Sequence, residues 1–538
     1  MQRTRRVATA LFIGWLAMTG AGVGSVASAA EGAKGSTADH SKFKELDKDF
    51  LSGPEVTKAC LACHTEASKQ VMHTQHWKWE FVNPKSQQNL GKMHVINNFC
   101  TSVQSNLKGC ASCHVGYGAM TDKGVQNEES LVDCLACHDN TGSYSKPSGM
   151  GGNVLSKDTE LPPGSGNIIK GVNLKKIAQK VGKTTRKSCG NCHFNGGGGD
   201  AVKHGDLDSS LEDPDEKLDV HMNSDGLNFT CATCHKTDGH QVPGSRYAPT
   251  AVDKHGAIVR GKSDERNPAT CQACHGEKPH KDKDNKNAAK LNNHTNKLAC
   301  QVCHVPAFAR GEIATKMFWD WSTAGRRGPD GKPLVEKNEE GHAIYMGHKG
   351  TFEYKENVKP DYIWFNGDVK YTLRDEKVDK SMQPIYINKY LGSPTDGRSM
   401  IWPVKTFRGK QAFDAENKTL VVTHLAGADS TAYWKNLNWE NAIETGMKTA
   451  GMPFSGKVDF IETISQWPIT HMVAPKDKAV ACNECHTKGG RLEGIDGVYI
   501  PGRDSIDLLD KGVKLLALLT LLAMIGHGVL RIFTSKKH

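Results

Sequence analysis

Residues 189–193 read Cys189-Gly-Asn-Cys192-His193. The same pattern, Cys-x-x-Cys-His, occurs seven more times: Cys60-Leu-Ala-Cys63-His64, Cys110-Ala-Ser-Cys113-His114, Cys134-Leu-Ala-Cys137-His138, Cys231-Ala-Thr-Cys234-His235, Cys271-Gln-Ala-Cys274-His275, Cys300-Gln-Val-Cys303-His304 and Cys482-Asn-Glu-Cys485-His486. Of the 17 cysteines only Cys100 stands outside the repeat. On a helical turn, two thiols three positions apart reach the two vinyl groups of one porphyrin, and the next residue sets an imidazole under the iron. A zinc ribbon also pairs Cys-x-x-Cys units, but nothing in it requires a histidine directly after the second cysteine. A disulfide requires none either. The repeat therefore predicts eight covalently attached c-type haems, with the eight motif histidines as iron ligands.

Composition agrees with that reading. The 538 residues are 37% hydrophobic and 24% charged, with a mean hydropathy of −0.52. So little apolar material in a chain long enough for two to four domains leaves the core to be filled by something besides side chains, and porphyrins would fill it. The net charge of +10 does not indicate nucleic acid. Arg3, Arg5 and Arg6 belong to a removable leader, haem propionates offset much of the rest, and no basic stripe interleaved with aromatics is present.

Both ends of the chain are addresses. Residues 1–29 form a signal peptide, with a basic start, an apolar run to Val26 and an Ala27-Ser28-Ala29 cleavage site. The Arg5-Arg6 pair suggests a twin-arginine route, but the residues after it fit ordinary export better. Near the other end, Leu515 to Leu530 carries no charge and is followed by Arg531, Lys536 and Lys537. With Arg531 snorkelling, 515–533 is long enough for a transmembrane anchor whose basic end faces the cytoplasm. The alternative is a C-terminal helix docked on the protein. His527 lies inside the span and is a candidate ligand for a haem shared with a membrane partner. These features predict a periplasmic protein held at the inner membrane.

Between the addresses lie a linker (30–52), a seven-haem domain (53–304), a cysteine-free region (305–481) holding seven of the ten tryptophans, and an eighth haem segment (482–505). Alternation in Tyr362-Ile-Trp-Phe365 and Val369-Lys-Tyr-Thr-Leu373 predicts short strands there. The expected fold is a mainly α and irregular multihaem cytochrome c with a haem-dominated core, a partly β haem-free insertion and a C-terminal transmembrane helix. Sixteen histidines lie outside the motifs. His73, His76, His204, His221, His240, His280, His294 and His471 have ligand-like surroundings and are the candidate distal ligands, whereas His40, His342, His348 and His538 read as tail or loop residues.

Several stretches resemble the octahaem tetrathionate reductase family, a branch of the octahaem cytochromes related to hydroxylamine oxidoreductase. They are Met72-His-Thr-Gln-His-Trp-Lys-Trp79, Ile96-Asn-Asn-Phe-Cys100, the run from Cys189 through Gly196-Gly-Gly-Gly199 to Asp208, His294 to Arg310, and Thr470-His-Met-Val-Ala-Pro475. The resemblance spans roughly 50–490 and implies seven bis-histidine haems and one, on the second motif, with a lysine as distal ligand. Carried onto this chain, that lysine is Lys203, with Asp200 as its acidic neighbour and Cys100 as the free thiol beside the same haem. Family members reduce tetrathionate, nitrite and hydroxylamine.

The expectation is a reductase in which His114 holds the catalytic iron and Lys203 is displaced by a small anionic nitrogen or sulfur oxide. Asp200 and Lys203 are candidate proton donors. A Cys100 thiolate could attack the central bond of tetrathionate. A membrane quinol-oxidising partner would supply electrons. The competing reading is a membrane-anchored electron carrier with every iron bis-histidine and no substrate site. Hydroxylamine oxidation ranks third, because it needs a tyrosine cross-linked to the catalytic porphyrin and no tyrosine here has a matching motif.

Overall fold

The computed structural model describes residues 37–96, 102–161, 163–249, 269–281, 283, 286–427 and 429–535. The leader and Cys100 lie outside these residues.

Each motif occupies a helical turn, because the i to i−4 bond of one turn is what sets the two thiols and the imidazole on a single face. Motif one begins at the end of α1 (Gly53–Leu61), and motif four lies wholly within α2 (Arg186–His193), which is opened by a capping box between Thr185 and Ser188. In motifs one, three, five, six, seven and eight, the histidine N–H donates to the carbonyl of the first cysteine at 2.9–3.1 Å. Motif two differs. Its last three residues before His114 form a 3-10 turn, and the His114 N–H donates to Ala111 instead. The expected linker packs into the body: Leu46 and Phe50 are buried with Val56, Leu135 and Ile177.

The haem-free region is more extensively β than its two alternating stretches indicate. Ten strands form one sheet: β1 (Thr315–Asp320), β2 (Val335–Lys337), β3 (Ala343–Met346), β4 (Gly350–Lys355), β5 (Asp361–Phe365), β6 (Asp368–Tyr371), β7 (Ile385–Leu391), β8 (Met400–Asp414), β9 (Thr419–Leu420) and β10 (Val458–Pro468). The spatial order is β6-β7-β10-β8-β1-β4-β3-β2, with β5 and β9 also paired to β8. β8 is the spine, antiparallel to β10 from Val404↔Pro468 to Asp414↔Val458 and parallel to β1 at Arg408↔Phe318.

This region builds a side-chain core of its own. Trp319, Trp321, Phe407, Tyr433 and Trp467 form one cluster, with Trp319 and Trp321 stacked at 4.5 Å. Helix α3 (Trp439–Thr449), capped by the Asn438 side chain, buries Ala442, Ile443, Gly446 and Met447. Gly446 must be glycine, since a Cβ there would stand 2.1 Å from the Val422 carbonyl oxygen.

The last element, α4, spans Asp507–Ser535. At 1.5 Å per residue its 29 residues extend about 44 Å, more than a bilayer's hydrocarbon core. The segment Lys511–Thr534 has a mean hydropathy of 2.0, and none of its most apolar stretch is buried against the chain, so it is not a docked core helix. By length and composition it is a candidate membrane span.

Candidate functional site

Two imidazoles on opposite faces of one iron, each about 2 Å from the metal, have ring centres about 6 Å apart. Seven motif histidines meet a second histidine at that spacing. The pairs are His64 with His40 at 6.3 Å, His138 with His240 at 6.4 Å, His193 with His76 at 6.2 Å and His235 with His471 at 6.4 Å. The remainder are His275 with His221 at 5.9 Å, His304 with His280 at 6.3 Å and His486 with His294 at 6.0 Å. Many of these rings are oriented through Nδ1. His138 bonds to Gly182 O at 2.8 Å, His235 to Pro243 O at 2.9 Å, His486 to Pro501 O at 2.9 Å and His294 to Lys290 O at 2.7 Å. His240 Nδ1 meets Gln70 Oε1 at 2.8 Å, and His471 Nδ1 meets Asp206 Oδ2 at 3.2 Å. Occupying Nδ1 in this way leaves Nε2 to bind metal. These residues fit c-type haem at seven positions.

Of the candidate distal ligands, the structure brings His76, His221, His240, His280, His294 and His471 to motif histidines. It does not bring His73 or His204. His73 is exposed and bonds to Lys69 O within its own turn, while the His204 ring stands edge-on to Trp467 at 5.2 Å. The histidine facing a motif histidine that sequence reasoning missed is His40. It lies 24 positions before its partner in a segment read as linker, and only the packing of that segment could have shown its role.

The cysteines show how the motifs adjoin. Thiols of different motifs approach one another: Cys60 with Cys134, Cys113 with Cys192, Cys189 with Cys231 and Cys271 with Cys300. Cys137 faces Cys189, Cys234 faces Cys274 and Cys303 faces Cys485. The motifs therefore run in the order one, three, four, five, six, seven, eight, and motif two branches from motif four.

His114 is the exception among the motif histidines. It is 1% exposed, and among the described residues no second histidine faces it. Its ring lies 5.3 Å from that of Trp77 and 5.0 Å from that of Trp79. Its Nε2 bonds to the Trp77 carbonyl at 2.6 Å, so iron at motif two requires this nitrogen to leave that oxygen. Burial pushes the imidazole down to about 4. Behind it, Lys146 donates to the His114 carbonyl and pairs with Asp133 at 2.8 Å in a fully buried ion pair that Tyr144 also bonds. Such a pair fixes position, because removing either partner strands a buried charge.

Lys203 is buried too, at 4% exposed, and is reached through the glycine run after motif four. Gly198 turns the run at φ +88°, a conformation open to glycine. The Lys203 ammonium lies 4.7 Å above the Trp467 ring. Its backbone is pinned by buried Lys405, which donates to Val202 O at 3.2 Å, Lys203 O at 3.1 Å and Thr315 Oγ1 at 2.5 Å. Burial pushes Lys405 down to about 7. Asp200 is turned elsewhere: its carboxylate accepts from Ser209 N at 3.0 Å and from the Ser209 hydroxyl, and it lines an open cleft of about 400 Å³ with Glu312, His342 and Tyr354. Asp206 accepts from His471 and from Thr470 N at 2.7 Å. Burial opposes its charge, but the His471 hydrogen bond holds the carboxyl down at about 2.

These features define a multihaem c-type cytochrome. A family model described as "Cytochrome c bacterial" matches residues 316–489, which take in the sheet and motif eight. The crystal structure of an octaheme cytochrome c from Shewanella oneidensis is similar along 86% of this chain and 97% of that one, at 36% sequence identity and a TM-score of 0.73. The chain belongs to the octahaem c-type cytochromes and carries covalently attached haem. An uncharacterized protein of Archaeoglobus fulgidus is 27% identical over 245 residues, covering 38% of this chain and 80% of that protein.

Proposed function

We propose that the chain is a membrane-anchored octahaem reductase in which all eight motifs are loaded and motif two is the substrate site. One observation carries this reading: seven motif histidines face a second histidine, and among the described residues His114 does not. Haem supplies redox chemistry, storing and delivering electrons one at a time. The rest is the work of side chains. Lys203 would hold the iron of motif two together with His114, through an amine more readily displaced than an imidazole. Once displaced it is a cation that attracts an anionic nitrogen or sulfur oxide, hydrogen-bonds it and can hand on a proton. Asp200 acts at a distance, holding the lysine loop through Ser209. Cys100 supplies a thiolate for tetrathionate alone.

Electrons enter at motif eight. Cys482 is exposed, His486 is tied to Pro501, and α4 begins six residues after Pro501, so this motif is the one nearest the anchor along the chain. The partner is a quinol-oxidising membrane protein, and the haem body stands on the periplasmic side. The second reading, a relay without a substrate site, draws on the depth of His114 and its bond to Trp77. Steady-state reduction of nitrite, hydroxylamine and tetrathionate by the holoprotein, with a viologen donor, separates the two. Turnover of at least one is expected, and none would leave only the relay.

A further inference from the structure

Two cationic side chains lie against Trp467. The Lys203 ammonium lies 4.7 Å from the indole centre, and the half-buried Arg246 guanidinium lies 5.7 Å from it. Among the described residues Arg246 has no carboxylate partner; it bonds the Tyr247 hydroxyl at 2.5 Å and lies over that ring. Tyr371 of β6 and Tyr390 of β7 are close enough to act on its charge, and the Tyr371 ring lies 5.4 Å from that of Tyr247. The β6–β7 register sets Tyr390 opposite Val369, two residues from Tyr371, so both phenols project from one face. They are 3% and 4% exposed, and neither hydroxyl has a hydrogen-bond partner among the described residues.

A buried hydroxyl without a partner is destabilising, and here two lie beside one guanidinium. We propose that Arg246, Tyr371 and Tyr390 form a seat for one oxyanion beside Lys203, filled by a propionate of a neighbouring porphyrin or by a small nitrogen or sulfur oxyanion drawn towards motif two. The guanidinium fork grips two oxygens, and the phenols donate to them. The seat deepens the reductase reading, but it is tested without turnover, so failure of one is distinguishable from failure of the other.

The test uses oxidised holoprotein of the parent, Arg246→Gln, Tyr371→Phe and Tyr390→Phe. Nitrite binding is measured by equilibrium dialysis, and haem potentials by spectroelectrochemical titration. If the occupant is a free oxyanion, Arg246→Gln weakens nitrite binding about tenfold or more and each phenol variant weakens it severalfold, with potentials unchanged. If the occupant is a propionate, one haem's potential shifts in all three variants while nitrite binding holds. Haem-loaded variants that keep both the parental affinity and the parental potentials would overturn the seat. Should Arg246→Gln fail to load haem, the two phenol variants decide, because each removes one oxygen and leaves the strand pairing intact.

Discussion

At the scale of single residues, His114 and Lys203 are each buried, where small changes are felt. Lys203→Ala removes the proposed distal ligand, so the resting protein should gain a high-spin haem signal in its electron paramagnetic resonance spectrum, and an unchanged low-spin spectrum would rule the lysine out. Lys405→Met keeps much of the volume but leaves Val202 O, Lys203 O and Thr315 Oγ1 without their donor. It should cost about 1–3 kcal/mol in chemical denaturation. Cys100→Ser should lose tetrathionate turnover far more than hydroxylamine turnover, and equal effects on both would eliminate the thiol role. The haem-attaching residues were readable from sequence because covalent attachment demands fixed spacing. The distal histidines were only partly readable, because iron sets no sequence distance between its two axial ligands. His40 and His204 show the difficulty from both sides: the first faces a motif histidine from what reads as a tail, and the second sits beside Lys203 yet packs on Trp467.

At the scale of elements, the sheet explains what pattern reading could not see. β8 is buried along nearly its whole length on both faces, so it shows no alternation. Its partners come from residues 318, 361 and 458, far apart in the chain, and strands as short as β2 carry too little pattern to register alone. Helix α3 was equally silent, since its apolar face is made by only a few residues, Ile443 and Met447 among them. Ile443 is fully buried, and Ile443→Ala should destabilise the protein by about 2–5 kcal/mol, read as a lowered thermal midpoint with the haem spectrum unchanged below the transition. The candidate span was legible as a helix because an uninterrupted apolar run needs no partner to be recognised. Ending the chain at Ser505 should release the haem body from membranes with viologen-driven turnover intact and quinol-driven turnover abolished. Retention of quinol-driven turnover would remove the anchor from the electron path.

At the scale of the whole molecule, thiol contacts set seven motifs in one line and leave motif two on a branch from motif four. A branch suits a terminus where electrons are used, and a line suits delivery. On the proposed reading the architecture separates two tasks, with histidine pairs along the conduit and one chemically distinct haem position at its side. The spectrum of the resting holoprotein tests that division most directly. Electron paramagnetic resonance at low temperature should resolve seven bis-histidine haems and one haem whose axial ligation is different. Eight bis-histidine signatures would contradict the account.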